Sequence, residues 1–522
     1  WHKKALNLRL LHNANSLQRE KDIKDSHEKH EIHEMIVLNP KSEVERALSG
    51  CNSFIVKFIL GKKRTIGRNR IVHRKISVLF GKKEVLLRET EQVVTPLGGL
   101  SVLVEFLNKI GFASTVSRHM PFELTSPNRI EPAQTLTAFL MSVTSGARRF
   151  AHTSLLRADR ALHTLLGIKR YPCDDTIRNL FRRFGARQVQ EFFEPLWVWM
   201  LSRLPQREDG YTLDLDSTVF ERYGKQEGAK KGYNPKRKGR PSHHPILAVL
   251  SEAYFVLHGW LRSGNASSAR GVVEFLQESL AQLPKAIRIR CVRADSGFFD
   301  HKLLEFLESQ KLPYVIVAKM TGWIKKRAAA VSQWQKLDAN YAVGEFTEKL
   351  FGWLRERRFV VIRERVRKGR SPVGRKLFDI QDYTYRVMVT DRKDSPVDIW
   401  RDYNKRADME NRIMELKYDL AADDFCMRQF YATEAAFRSI LMLFNLLAEF
   451  QRATGMTEYR QPASLRYTVF LCGAILGRKG HQAVLYMSTA WGGLQRRNPL
   501  FDKIKAYIFP TSPKLEPEGS PA

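Results

Sequence analysis

Four apolar, β-prone segments between residues 211 and 320 constrain the fold of this chain more than any other feature. They are YTLDLDSTVF, HPILAVLSEAYFVLHGW, AIRIRCVRADSGF and LPYVIVAKM, and the helix-like segment ARGVVEFLQESLAQL separates the second from the third. Strands that mix with helices in this order form a central sheet covered by helices. The sequence therefore predicts an α/β fold around a mixed sheet.

The charge balance indicates the kind of partner. The chain of 522 residues has 87 Lys and Arg against 55 Asp and Glu, which gives a net charge of +32. Lys and Arg gain affinity for phosphates by releasing condensed counterions, so this excess favours a nucleic-acid partner over a merely basic surface. The 5 cysteines are scattered, which indicates neither a disulfide framework nor a thiolate zinc site and suits a reducing cytosol. No apolar run is long enough to predict a membrane span.

Carboxylates at the ends of the predicted strands are the candidate catalytic residues. Asp214 and Asp216 lie two apart on a strand and so point to one face, while Asp295 ends a strand directly before a Ser-Gly turn. Each could also be an ordinary cap or turn residue. Together with Glu410 they would repel one another unless a cation lay among them. Two Mg²⁺ ions, which Mn²⁺ can replace, would neutralise them and activate water or a 3′-hydroxyl.

Glu410 belongs to the segment YNKRADMENRIMELKYDLAADDF, residues 403–425. On a helix of about 3.6 residues per turn, one stripe of this segment is polar and the stripe beside it is apolar. The polar stripe contains Tyr403, Arg406, Glu410 and Lys417, and the apolar stripe contains Met409, Ile413, Leu416 and Leu420. Asp408, Arg412, Glu415 and Asp419 occupy the far side, where we expect solvent. An amphipathic helix with surface ion pairs is the alternative.

Further basic stretches are candidate DNA contacts. One is the helix in YPCDDTIRNLFRRFG, which Asp174 or Asp175 can cap and which carries Arg178 and Arg182; a surface helix would look alike. Another is a predicted loop at 222–240, whose cations include Lys236, Arg237, Lys238 and Arg240. In the Arg-rich segment at 351–370, Trp353 could stack on a flipped base, with Trp323 and Trp334 as rivals. Each of these tryptophans could equally be a core residue.

These motifs resemble those of a known family. The spacing Tyr403-x2-Arg406-x3-Glu410-x6-Lys417 matches the Y-R-E-K signature of bacterial insertion-sequence transposases of the DDE type. DLDSTV and RADSGF resemble that family's first and second acidic segments, and YGKQEGAKKGYNPKRKGRPSHHPILAVL resembles the stretch that follows the first in one subgroup. The resemblance covers residues 95 to about 510 and leaves the first 85 or so unmatched.

The resemblance implies a ribonuclease-H-like catalytic domain with Asp216, Asp295 and Glu410 as metal ligands and a β-rich insertion before the Glu. The family pattern places the first acid directly before the hydroxyl residues, which favours Asp216 over Asp214 and leaves Asp214 as a supporting partner. Arg406 and Lys417 would then neutralise phosphate, and Tyr403 would help to place the scissile strand.

The expected domains follow from these motifs. We expect a non-native or disordered basic extension at 1–90, in which His27, His30 and His33 could share a helix face. A helical DNA-binding domain is expected at 91–208, with flanking helical regions around the sheet. The catalytic domain is expected at 209–320 and 384–425, the β-rich insertion at 321–383, and a helical C-terminal region and tail at 426–522.

The predicted function is a cut-and-paste DNA transposase. It would bind the terminal inverted repeats of its element as a homodimer, cut double-stranded DNA at the element ends and join the 3′-hydroxyls to target DNA. We expect a cytoplasmic, nucleoid-associated bacterial protein without a membrane partner. A stand-alone metal-dependent nuclease and a catalytically silent, repurposed DNA-binding protein are the alternatives.

Overall fold

The computed structural model of the chain describes residues 74–365, 379–380, 383–491 and 494–510. The chain divides into two compact units, Trp1–Glu91 and Gln92–Ala522. In the first unit, strands β1 (Arg74–Ser77) and β2 (Glu84–Leu87) form an antiparallel pair. The candidate histidines His27, His30 and His33, together with Cys51, lie outside the described residues.

In the described part of the second unit, strand β3 (Val93–Thr95) and seven helices precede the central sheet. The helices are α1 (Leu100–Lys109), α2 (Phe112–His119), α3 (Pro132–Thr144), α4 (Phe150–Thr153), α5 (Arg160–Leu166), α6 (Asp174–Arg182) and α7 (Ala186–Leu201). The apolar residues that predicted these helices pack in one hydrophobic core, with Phe106, Phe139 and Phe192 fully buried. Helix α3 begins at Pro132, because the fixed φ of proline suits the first helical position.

The central sheet contains ten strands among the described residues. The strands are β4 (Tyr211–Ser217), β8 (Ile246–Leu250), β9 (Phe255–Trp260), β10 (Ile289–Ala294), β11 (Tyr314–Val317), β12 (Gln335–Lys336), β13 (Tyr341–Glu348), β14 (Arg357–Arg365), β15 (Asp379–Ile380) and β16 (Tyr383–Thr390). Their order is β12-β13-β14-β16-β11-β10-β4-β8-β9, with β15 beside β16. The strands β10 and β11 run parallel to β4, and the other pairings are antiparallel. The predicted mixed α/β sheet is confirmed.

Three short strands, β5 (Phe220–Glu221), β6 (Lys230–Lys231) and β7 (Pro241–His243), form a separate small sheet beside the end of β4. The predicted loop at 222–240 is therefore anchored by strands at both its middle and its end. Helices α8 (Val272–Ala281), α9 (His301–Ser309) and α10 (Gly322–Ala329) follow β9, β10 and β11 in the chain.

The β-rich segment that we expected as an insertion does not form a sheet of its own. Strand β14 pairs with β16, which pairs with β11, so its strands extend the central sheet. Alternate residues of β14 explain this placement: Phe359 and Val361 enter the main core, while Val360 and Ile362 enter a second cluster on the other face. A strand buried on both faces needs cover on both sides, which a central position supplies.

The predicted helix at 403–425 is interrupted. Helix α11 (Pro396–Asn404) ends before Arg406, α12 (Ala407–Met414) follows, and a π-helical turn covers Glu415–Asp419. The apolar stripe is nevertheless as predicted, since Met409, Leu416 and Leu420 are buried and Ile413 is half-buried.

The C-terminal region is less helical than predicted. Helix α13 (Phe430–Ala453) is 24 residues long and buried along most of its length. Helix α14 (Pro462–Leu465), a π-helical turn at Arg466–Phe470, strands β17 (Ala474–Lys479) and β18 (Gln482–Met487), and helix α15 (Leu494–Ala506) follow. The hairpin β17–β18 pairs with β3, so this region contributes to a three-stranded sheet. None of the described helices is long and apolar enough to cross a membrane.

Candidate active site

Asp216 lies at the end of β4, next to a cation. Its Oδ2 is 3.0 Å from Nη2 of Arg406, and its Oδ1 accepts a hydrogen bond of 2.7 Å from the backbone N–H of Ser217. The same Nη2 of Arg406 donates to the carbonyl of Leu215 at 2.8 Å. This arrangement ties the segment between α11 and α12 to the end of β4.

Asp214 has a different environment on the same strand. Arg293 lies directly opposite on β10 and donates from Nε to Oδ1 at 2.7 Å and from Nη2 to Oδ2 at 2.8 Å. Arg293 also donates to the backbone carbonyl of Asp402. Both side chains of the pair are 1% exposed, so Asp214 is enclosed and has no access to a cleft.

Asp295 follows β10, whose end lies beside the end of β4 because the two strands are parallel. Its Oδ1 accepts from the backbone N–H of Gly297 at 2.9 Å and so holds a tight turn. A Cβ at Gly297 would lie 2.7 Å from Oγ of Ser268, which is too close for any side chain. Ser268 is in turn 2.8 Å from the hydroxyl of Ser217, so the turn packs directly against the residue after Asp216.

Glu410 is exposed in the first turn of α12 and faces a cleft of about 980 Å³ that Asp295 also lines. Cations contribute to the same cleft. They are Lys236, Arg237, Lys319 and Lys417. Besides Asp295 and Glu410, the carboxylates of Glu221, Asp423 and Asp424 line the cleft. Acidic and basic side chains therefore meet in one concave surface at the carboxyl ends of the parallel strands, which is where ligands bind in open α/β sheets.

The electrostatics link Asp216 to this cleft. Burial raises the pKa of Asp216 to about 6; Arg406 opposes the shift, while Asp295 and Glu410 add to it. Both carboxylates are therefore within electrostatic reach of Asp216. The structure places Asp295 and Glu410 in one cleft and Asp216 at the end of the neighbouring strand β4.

The described residues contain no group of three or more His, Cys, Asp or Glu side chains arranged to hold a metal ion. The chemistry of the acids nevertheless suits a hard cation. Their donor atoms are all carboxylate oxygens, which Mg²⁺ prefers, and their mutual repulsion is what a cation would relieve. Arg406 supplies a single positive charge at Asp216, whereas Asp295 and Glu410 have no ion pair to a cation within 4.0 Å among the described side chains.

The four residues of the Y-R-E-K stripe do not share one surface. Tyr403 is 7% exposed and packs in the second cluster with Ile399 and Met388, so it does not reach the cleft. Arg406 is also buried. Lys417 reaches the cleft from the π-helical turn, and its Nζ donates to the carbonyl of Val219 at 3.0 Å. Tyr403 is therefore buried, and its predicted role in placing the scissile strand stays a prediction.

The basic loop supplies the exposed wall of the cleft. Lys236, Arg237 and Lys238 are exposed, and the first two line the cleft. The guanidinium of Arg240 lies 4.5 Å from the ring centre of Tyr223. By contrast, Arg222 is 2% exposed and donates to His243 and to the carbonyl of Asp423, so it holds the loop in place.

On α6, the two predicted arginines have different surroundings. Arg182 is exposed, whereas Arg178 pairs with Asp174 at 2.7 Å and Asp175 at 3.0 Å. Cys173 precedes the helix, so neither aspartate is the N-cap, and both lie in the first turn.

Trp353 is not a surface residue. Its side chain is 8% exposed, the ring of Phe359 stacks on it at 5.9 Å, and the guanidinium of Arg357 lies 4.4 Å from its centre. Other side chains cover the ring, and the predicted stacking on a flipped base stays a prediction. Trp334 is half-buried against Arg363, and Trp323 is 55% exposed.

Two features of the site were not predicted from the sequence. Lys319 follows β11 and lines the cleft beside Asp295, a position that the sheet-edge argument applied to Asp295 could have identified. The far side of α12 is covered instead of solvated: Arg412 is 5% and Glu415 2% exposed, and they form a pair of 3.0 Å. Tyr459, distant in sequence, donates to Glu415 at 2.7 Å, and no local pattern indicates that contact.

Comparison with known proteins places this geometry in context. The sequence model of a family described as transposase DDE domain group 1 matches residues 78–507. Among solved structures, the chain is similar to piggyBac transposase in a cryo-EM structure of its synaptic complex with hairpin DNA, at 10% sequence identity and a TM-score of 0.40. That similarity covers 73% of this chain and 82% of the piggyBac chain. No curated protein gives a significant match.

Proposed function

The chain belongs to the family described as transposase DDE domain group 1, and from this premise we propose that it is a cut-and-paste DNA transposase. It binds the terminal inverted repeats of a mobile element, hydrolyses one strand at each end and joins the freed 3′-hydroxyl to target DNA. The observation that carries this proposal is that Asp295 and Glu410 line one cleft at the edge of the sheet where β4 ends in Asp216 and Ser217.

We propose that these three residues are the catalytic acids and would hold two divalent cations, with Mg²⁺ as the physiological ion. Bound cations would supply Lewis acidity, which lowers the pKa of water or a 3′-hydroxyl and stabilises the leaving oxygen of the phosphodiester. Asp216 and Asp295 end neighbouring parallel strands. This arrangement supports a ribonuclease-H-like catalytic core in the part of the sheet from β9 to β11.

Basic side chains of the cleft have separate roles in the proposal. Arg406 holds Asp216 in place from behind and keeps its carboxylate ionised through a contact of 3.0 Å. Lys417 and the exposed Lys236 and Arg237 bind backbone phosphates of the DNA end, because cations that neutralise phosphates release counterions. Water is excluded as the DNA backbone fills the cleft, which strengthens each of these contacts.

We further propose the division of labour expected from the sequence. Residues 91–208 would contact the inverted repeat, with the exposed Arg182 of α6 as one contact. The catalytic part would comprise 209–320 and 384–425, and the segment 321–383 would add DNA contacts to the same sheet. Two element ends must be held together for joining, so the active form would be a homodimer on DNA.

The decisive experiment is a cleavage and joining assay with Mg²⁺ on DNA that carries the ends of the element. Wild type is compared with Glu410→Gln, which keeps the shape of the side chain and removes its charge. Glu458→Gln is the matched control, since Glu458 is exposed, does not line the cleft and lies outside the segments proposed to contact DNA. We expect wild type and the control to cut and join, and Glu410→Gln to bind the same DNA with at least a ~1,000-fold loss of both reactions.

Other outcomes separate the alternatives. Breaks without joining by wild type would indicate a stand-alone nuclease. Binding without cleavage by wild type, in Mg²⁺ or Mn²⁺, would indicate a repurposed DNA-binding protein. Normal cleavage by Glu410→Gln would show that the acid of α12 is not catalytic.

A further inference from the structure

A second cavity, of about 430 Å³, lies on the other side of the loop that forms one wall of the active-site cleft. The loop comprises residues 263–270, of which Ser267 and Ser268 face the cleft. The second cavity is lined by three cations, Lys230, Arg262 and Arg270, and among the described residues that line it there is no carboxylate. A concave surface with only positive charge is suited to an anion.

Arg262 makes the charge of this cavity permanent. Its side chain is buried, with the residue 8% exposed, and it donates only to backbone carbonyls, those of His244 (3.0 Å), Ser267, Ser268 and Arg270 (2.8 Å). Its Nη2 has no partner in the described part of the chain. Burial and the nearby Arg270 lower the pKa of Arg262 to about 10, so it stays charged at neutral pH. A buried charge without an opposite partner is costly unless a bound anion compensates it.

The start of α8 faces the same cavity. Gly271 lines it and precedes the helix with a φ of 71°, while the N–H of Val272 donates to the carbonyl of Ala269 at 3.3 Å. The helix has ten residues, and its dipole adds positive potential at this end. Glu274 in the first turn opposes this effect, but it does not line the cavity.

The cavity is built by close backbone packing. A Cβ at Gly264 would lie 2.0 Å from the carbonyl oxygen of Ser242 and 2.3 Å from that of Lys230, so only glycine permits the loop to lie against β6 and β7. This contact fixes the position of Lys230 relative to Arg262 and Arg270. The backbone that carries the cations and the side chain of Arg262 are therefore in place before any ligand arrives, which lowers the entropy cost of binding.

We propose that this cavity is a phosphate subsite that binds the backbone of the DNA beside the cleaved end. The inference rests on the proposed transposase function, because the loop 263–270 joins the two sites and a strand in the cleft passes it. Arg270 and Lys230 contact the phosphate oxygens, Arg262 provides fixed charge behind them, and the dipole of α8 adds positive potential. The ligand chemistry, a phosphate oxyanion, is shared by DNA and by free phosphate.

The test uses the full-length protein and measures DNA affinity by fluorescence anisotropy at several salt concentrations. Arg270→Gln and Lys230→Gln remove one exposed charge each, and Lys302→Gln, exposed and outside both cavities, is the control. Loss of one phosphate contact lowers the slope of log K against log salt by about 0.9. We expect that change, with a ~5-fold weaker affinity at low salt, for Arg270→Gln and Lys230→Gln, and an unchanged slope for Lys302→Gln.

A calorimetric titration with inorganic phosphate distinguishes the two sources of phosphate. If phosphate binding is lost in Arg270→Gln while the DNA salt slope equals that of wild type, the cavity takes a free anion and the DNA assignment is overturned. If all three variants have the salt slope of wild type and wild type does not bind inorganic phosphate, the subsite is overturned altogether. These results are independent of the cleavage assay, so a protein that binds DNA through this cavity without cutting it would defeat the transposase proposal and leave the subsite standing.

Discussion

Two aspartates on one strand, two residues apart, have opposite surroundings. Asp214 accepts two parallel hydrogen bonds from Arg293, and both side chains are 1% exposed. Asp216 has one contact of 3.0 Å to Arg406, is 14% exposed and lies close enough to Asp295 and Glu410 for both to raise its pKa. The first acid is held by two hydrogen bonds from one arginine in a closed interior, whereas the second has one arginine contact and two further acids nearby at the edge of a cleft.

The comparison shows that a buried ion pair does not identify a function by itself. What separates the two aspartates is the number of compensating bonds and the sign of the next charges. A bidentate arginine satisfies a carboxylate and fixes the strands β4 and β10 to each other. A carboxylate that shares its site with other acids is poised to bind a cation, because the ionised form is otherwise disfavoured.

The largest effect is expected for Asp216→Asn. The change keeps the size of the side chain and removes one negative charge, so cleavage and joining should fall by at least ~1,000-fold while the fold is retained. The assay on element-end DNA measures the activity, and circular dichroism with thermal unfolding measures the fold. Activity within about tenfold of wild type would remove the distinction drawn between the two aspartates.

Asp214→Asn should instead act on stability. It leaves the guanidinium of Arg293 buried beside a neutral amide, and breaking a buried pair in this way costs about 3–5 kcal/mol. Urea unfolding at constant m measures the loss. Replacing both partners, as Asp214→Leu with Arg293→Met, should recover much of it, since no unpaired charge remains. A double replacement that is less stable than Asp214→Asn alone would contradict this account.

The sequence was sufficient for the features that depend on local patterns. The strands around Asp216 and Asp295 were predicted because each is a short apolar run that ends in a turn. The seam of Met409, Leu416 and Leu420 followed from helical periodicity. The match over residues 78–507 confirms the prediction of a DDE transposase family, while the Y-R-E-K signature and the bacterial insertion-sequence context stay predictions.

The features that depend on distant contacts could not be predicted. Trp353 is buried because Phe359 and Phe299 pack on it across the sheet and helix layers. The far side of α12 was expected to face water, yet the π-helical turn after Met414 changes the phase of the helix, and Tyr459 covers Glu415. Periodicity reports which residues share a face, but it does not report what covers that face.

Glu415 extends the comparison to a third carboxylate. Burial raises its pKa to about 7 from 4.5, although Arg412 and Tyr459 oppose the shift, whereas Asp408 and Asp419 add to it. The folded state therefore binds more protons than the unfolded state between about pH 4.5 and 7, and stability is lost as the pH rises through this window. The loss has an upper limit of about 3 kcal/mol.

Glu415→Gln removes this titration, so its stability relative to wild type should rise between pH 5 and pH 8. Urea unfolding at both pH values measures the free energy of unfolding of the variant minus that of wild type. The contributions of the titrating groups that the two proteins share cancel in this difference. Tyr459→Phe is the companion variant, because it removes the hydrogen bond and keeps the carboxylate. A stability difference that is the same at both pH values would place the pKa of Glu415 in its ordinary range.

The smallest effect is expected for Trp323→Ala, which compares an open tryptophan with the closed Trp353. Trp323 is 55% exposed, four residues after Lys319 of the cleft, so its ring is available to stack on an unpaired base. Stacking of one base is worth about 1–3 kcal/mol. Because the ring of Trp323 is only partly exposed, Trp323→Ala should weaken the affinity for DNA with a single-stranded end by about fivefold. The free energy of unfolding should change by less than about 0.5 kcal/mol.

The matched control is Trp491→Ala, because Trp491 is 54% exposed and does not line the cleft. Equal DNA affinities of the two variants would assign Trp323 to the solvated surface.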